Sequence, residues 1–206
     1  MPLLNILRSR SMKTILKRLC VMVLAVTMVL SLFTVNPTTA SASTKGLRNY
    51  VMENGKHNGN NYTIKYEAGG MKYSLIYNKS TKKFKIKLDV KQDSISETIQ
   101  ISNISGSKTK KCNFKFVINM SESTTMNITG KINPAKFTGK GSKGISSLKA
   151  SVNGTDSSGE YLESLKSQLV YLVNCCLTMN DYMLLGKYSS KDLGFDKYEP
   201  IVEGAN

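Results

Sequence analysis

Between Tyr62 and Ile132 the apolar side chains recur every second residue, a period that only an extended chain turns into one continuous face. The clearest run is Phe84, Ile86, Leu88 and Val90, alternating with Lys83, Lys85, Lys87 and Asp89. Wound as a helix, this run would scatter its apolar groups around the axis; extended, it puts them on one side and the charges on the other. Tyr62, Ile64 and Tyr66 alternate with Thr63, Lys65 and Glu67, and Met71, Tyr73, Leu75 and Tyr77 follow after Gly69-Gly70. Two glycines between alternating runs mark a two-residue hairpin turn, whose central positions favour residues that accept positive φ. Weaker runs cover 97–102, 112–118 and 124–132. The polar connections are too short for parallel crossovers, so the expectation is an antiparallel meander of about six strands over 62–132. Residues 145–152 add a further candidate through Ile145, Leu148, Ala150 and Val152.

On either side the period changes to that of a helix. Leu47, Tyr50, Val51 and Asn54 predict a short helix over 44–54, followed by a loop from Gly55 to Asn61 containing Asn58-Gly59. After Asp156, Leu162, Leu165, Leu169, Leu172, Val173, Cys176, Leu177, Met183 and Leu184 recur at steps of three and four. Ser157 and Glu160 fit a capping box and Gly186 a C-terminal cap, which predicts one long amphipathic helix over 158–185. Such a helix would be ~42 Å long against ~24 to 29 Å for six strands, so it must overhang, run diagonally over a curved sheet, or break near Asn180-Asp181. The fold class is therefore α+β: a β-meander packed against a long C-terminal helix, with a short N-terminal helix and a tail over 186–206 whose Leu193 and Phe195 can dock on the body.

Ahead of this lies a different kind of segment. Arg8, Arg10, Lys13, Lys17 and Arg18 precede the apolar stretch Leu19 to Phe33, and Ala40-Ser41-Ala42 ends it with small residues, the pattern of an export leader over 1–42 cut near Ala42. The stretch is shorter than the roughly 20 residues a bilayer-crossing helix needs, so no membrane span is expected to remain. Either Met1 or Met12 serves as a start. The expected mature protein is a single secreted or cell-surface domain, 43–206.

Of the chain's 29 Lys and Arg, five lie in the leader, leaving 24 against 14 Asp and Glu. Residues 43–150 hold 20 basic and six acidic groups, and 151–206 hold four and eight, so the body is basic and the tail acidic. Arg48 is the sole guanidinium beyond the leader. Lysine is a hydrated point charge without the planar fork that grips phosphate in two places, so this pattern fits diffuse attraction to a polyanion better than geometric phosphate recognition. Lys65, Lys83, Lys85, Lys87, Lys115 and Lys131 share the outward parity of their strands and form the candidate binding face.

Other chemistries find little support. His57 is the one histidine and sits in a turn-rich stretch, which excludes a multi-histidine metal centre. Gly139, Gly141 and Gly144 match the spacing of a nucleotide fingerprint, but that motif needs a preceding buried strand and a following helix, so 139–144 reads as a basic Gly/Ser/Lys loop. Ser-x-x-Lys recurs four times in polar stretches, as composition alone produces. The aromatics lie on the parity opposite the lysines, whereas single-stranded nucleic acid needs both on one face, so no specific nucleic acid is expected. Cys112 and Cys176 share core parity and are expected to be bridged or buried, with Cys175 the more exposed thiol. No catalytic residue, metal or cofactor is assigned. The expected function is non-enzymatic binding of anionic envelope polymers or a lipid surface; the alternative is a carrier or sensor of an apolar ligand held between sheet and helix. Natural partner and oligomeric state are not legible.

Overall fold

The computed structural model describes residues 44–200, apart from 93–94, 122, 157–158 and 185–186. The leader over 1–42, the cap at Ser157, the cap at Gly186 and the end of the tail lie outside the described residues. Helix α1 (Thr44–Asn54) leads into nine strands: β1 (Lys56–Asn58), β2 (Asn61–Ala68), β3 (Met71–Asn78), β4 (Lys83–Gln92), β5 (Ile95–Ile104), β6 (Cys112–Ser121), β7 (Thr124–Ile132), β8 (Ile145–Val152) and β9 (Thr155–Asp156). Helix α2 (Gly159–Leu184) and a 3-10 turn (Ser190–Leu193) follow.

All nine strands form one antiparallel sheet in sequence order, each paired only with its chain neighbours. The meander is thus larger than the six strands expected from alternation. The segment read as a loop, Gly55 to Asn61, contains a hairpin in which β1 pairs with the start of β2, and Asn153-Gly154 turns β8 back into β9. β8 fills the further candidate over 145–152, while β1 and β9 are short and exposed, with no apolar alternation to announce them. Short exposed strands also blunt the sheet's two edges. Gly69 and Gly70 make the expected tight turn, at φ 55° and 79°. Gly130 is required for another reason: a Cβ there would come within 2.4 Å of the Phe114 ring on the neighbouring strand.

The inner face of the sheet carries Tyr73, Leu75, Phe84, Ile86, Leu88, Ile99, Ile101, Phe114, Phe116, Met126 and Ile128, all at most 5% exposed. Helix α2 packs on it against β3, β4, β5 and β8, while α1 covers β2 and β3. It does not break at Asn180: it is continuous over 26 residues, ~39 Å in length.

Every residue from Leu172 to Asn180 is buried, on all sides of the helix. The side away from the sheet is closed by the tail, where Leu193 and Phe195 are fully buried and the Phe195 ring meets Phe137 edge-on at 6.4 Å. A polar clasp fixes that tail: Ser190 Oγ donates to the Leu177 carbonyl at 3.0 Å, the Ser190 amide donates to Asp181, and the Tyr73 hydroxyl donates to Asn180. Lys108 reaches Asp196 at 2.5 Å, Lys140 reaches Glu199 at 2.5 Å, and Thr44 donates to the Asp192 carbonyl.

This enclosure corrects the expectation for Cys175, which is 1% exposed and as deeply placed as Cys176 and Cys112. All three are free thiols. Burial pushes Cys112 and Cys175 up to about 12, and raises Cys176 as well, so almost none is the reactive thiolate at neutral pH. Native protein treated with a thiol reagent at pH 8 is expected to stay unlabelled at all three positions, and all three should label in denaturant. Rapid labelling of Cys175 alone, read by mass mapping, would mean that the tail does not cover that side of α2.

Candidate functional site

Among the described residues no helix packs on the sheet's other face, so its side chains form a broad polar surface. Register decides which of them are neighbours. Lys65 on β2 pairs with Ser74 on β3, Ser74 with Lys87 on β4, Lys87 with Gln100 on β5, Gln100 with Lys115 on β6, Lys115 with Thr129 on β7, and Thr129 with Lys149 on β8. One row running straight across seven strands therefore holds a lysine on every second strand and a hydroxyl or amide between. Alternate strands lie ~9.6 Å apart, so the four lysines extend over ~29 Å. Like charges directly opposite one another destabilise a sheet, and the alternation avoids this. At ~9.6 Å two lysines repel by about 0.4 kcal/mol in water, and less once salt screens them, so the fold carries the row at little cost.

The rows on either side differ in sign. Toward the Gly69-Gly70 turn run Glu67, Lys72, Asp89, Thr98, Val117, Asn127 and Ser151. Here the charges are internally paired, Lys72 with Glu67 at 3.3 Å, while Asp89 takes Lys87 at 2.7 Å and the Thr98 hydroxyl at 2.6 Å. On the opposite side lie Lys56, Thr63, Ile76 and Lys85, then, past a bulge at Asn103 with φ 60°, Ser102, Asn113, Lys131 and Ser146. Among the described residues, Lys65, Lys85, Lys115, Lys131 and Lys149 have no carboxylate within 4.0 Å. The result is a basic strip whose flank toward the Gly69-Gly70 turn has its charges paired.

Of the six lysines singled out from parity, Lys65, Lys87 and Lys115 fall into the central row, and Lys85 and Lys131 into the next. Lys83 stands farther out, opposite Asn78 at the β3–β4 turn. Lys149 lies between Leu148 and Ala150 and so has outward parity on β8, yet it is not among those six; past the bulge at Ser147, φ 54°, the register sets it opposite Thr129. Parity did contain an unused signal at Glu97. It shares the inward register of Ile99 and Ile101, pairs with Val90 and Ile118, and is only 6% exposed. Burial among apolar neighbours raises its carboxyl to about 7.

The remaining candidates are occupied structurally. His57 is exposed on β1, its ring stacked on Tyr62 at 4.7 Å and its Nε2 against the Gly59 carbonyl. Gly139, Gly141 and Gly144 lie in the connection between antiparallel β7 and β8, at φ 73°, 62° and 91°, with a strand rather than a helix following. Among the described residues no cluster of three His, Cys, Asp or Glu is placed to hold a metal ion, and no helix is long and apolar enough to cross a membrane. No family model, curated protein or solved structure matches the chain.

Proposed function

We propose that this protein binds a linear anionic polymer, laid along the lysine row of the outer face at right angles to the strands. The observation that carries the reading is the pairing register, which aligns Lys65, Lys87, Lys115 and Lys149 on alternate strands. On the side of the β2–β3 turn Glu67 and Asp89 are held by Lys72 and Lys87, so that flank draws a polyanion little, whereas Lys85 and Lys131 attract it on the other side. A row suits a chain better than a plane. With the export leader expected over 1–42, the polymers within reach are those of the cell envelope. The function is binding without chemistry: lysines neutralise charges on the polymer and release its counterions. An apolar ligand on the inner face would have to share it with α2.

Salt-gradient elution from immobilised heparin tests this reading. Replacing Lys115 and Lys149 together by Gln should lower the elution salt and flatten the dependence of log K on log salt by about 1.4 to 1.8, at ~0.7 to 0.9 per lost contact. Replacing the exposed loop residues Lys136 and Lys143 by Gln removes the same charge away from the row and should change neither. Equal losses from both pairs would reduce the effect to net charge and defeat the proposal.

A further inference from the structure

Resting on the polyanion reading, we infer that the preferred polymer is an acidic polysaccharide in which charged and neutral sugars alternate. The part of the row with no buried member runs without interruption from β4 to β8 and reads Lys87, Gln100, Lys115, Thr129, Lys149. Ser74, by contrast, is only 8% exposed, so the β2–β3 end contributes the charge of Lys65 and little else. From β4 to β8 the chemistry changes at every strand: cation, amide, cation, hydroxyl, cation. Neighbouring strands are ~4.8 Å apart, close to the advance of one pyranose ring in an extended sugar chain. A polymer lying across the strands would therefore set one sugar over each strand.

Over Lys115 and Lys149 the fitting group is a carboxylate or sulfate; over Lys87 the incoming anion shares the ammonium with Asp89, which lies 2.7 Å from it. Over Gln100 and Thr129 it is a neutral sugar, because an amide and a hydroxyl both donate and accept hydrogen bonds, as sugar hydroxyls do. A polyphosphate carries charge at every repeat and has no neutral unit for these two positions. Its phosphates would also meet no guanidinium along the row, and arginine is the side chain that grips them in two places. The aromatic rings of β3, β4 and β6 are buried on the inner face, so Tyr73, Tyr77, Phe84, Phe114 and Phe116 supply no stacking platform outside. Recognition then rests on charge and hydrogen bonds, and affinity should be built over many repeats of the polymer.

The test compares four probes at equal anionic charge and low ionic strength: hyaluronan, with one carboxylate per two sugars; polygalacturonate, with one on each; inorganic polyphosphate; and phosphatidylglycerol vesicles. Hyaluronan is expected to bind tightest. Gln100→Ala and Thr129→Val should each weaken it roughly two- to tenfold, the scale of one lost hydrogen bond, and leave the other three unchanged. Polygalacturonate, polyphosphate or vesicles binding as tightly as hyaluronan, with Gln100→Ala and Thr129→Val silent, would overturn the alternating-sugar inference and leave the basic strip intact. Binding of none of the four would remove both.

Discussion

Leu169→Asp is expected to abolish folding. Leu169 is 1% exposed in the stripe of α2 that also buries Leu165, Leu172, Val173 and Cys176. Removing it forfeits ~1.5 to 3 kcal/mol of burial, and a carboxylate without a partner in that setting adds several more. A domain of this size holds only about 5 to 15 kcal/mol of stability in all, so the variant is expected to lose its cooperative thermal transition in circular dichroism. Ser146→Asp, an exposed position on β8, should melt like the wild type. A native-like melt for Leu169→Asp would place the buried face of the helix elsewhere.

Glu97→Gln is expected to stabilise the protein at pH 8 and to change little below pH 4.5. Burial raises the Glu97 carboxyl from 4.5 to about 7, so the folded state holds a proton that the unfolded chain has already lost. Asp181 behaves alike: burial raises it from 3.8 to about 6 against the lowering effect of its hydrogen bonds from Ser190. For both groups the folded pKa lies above the unfolded one. Their contribution is complete below the unfolded value and is lost as pH rises through the folded value, so stability should fall between about pH 4 and pH 7. For Glu97 the shift corresponds to about 3 kcal/mol at pH 8, and a glutamine that never ionises avoids that loss. At ~2 to 4 °C per kcal/mol the melting temperature should rise by about 6 to 12 °C. An equal difference between variant and wild type at pH 4 and pH 8 would show that Glu97 ionises as it does in water.

Glu97 also shows what the sequence offered and what it withheld. Its inward register could be read from Ile99 and Ile101, since alternation is local and each strand reports its own two faces. The same locality made the Gly69-Gly70 hairpin, the Phe84 to Val90 strand and the long helix legible. β1 and β9 were not, because three-residue and two-residue strands with exposed side chains owe their existence to the neighbour they pair with. The helix reads as amphipathic from its apolar residues at steps of three and four, yet Asn174, Thr178 and Asn180 are buried as well. The tail encloses the helix at Leu177 through Ser190, and Asn180 accepts from the Tyr73 hydroxyl on the sheet's inner face. The basic face was legible as a set of lysines but not as a row. A row is a property of register across strands, and two bulges shift that register in ways no single strand records.

Sequential pairing also sets an order of assembly. Each strand finds its partner one turn away, so the sheet can zip hairpin by hairpin with small loop-closure cost, the low-contact-order route that speeds folding. The inner face gains no such benefit. Beyond the part of β2 and β3 that α1 covers, its aromatic and aliphatic rows stay uncovered until the residues beyond Asp156 have arrived and wound into α2, and the closing tail comes later still. A sheet completed without its helix would be a sticky intermediate, prone to pairing with its own kind. Synthesis from the N-terminus makes the helix the last large piece to appear, and the interval before it docks is when the chain is most exposed to aggregation.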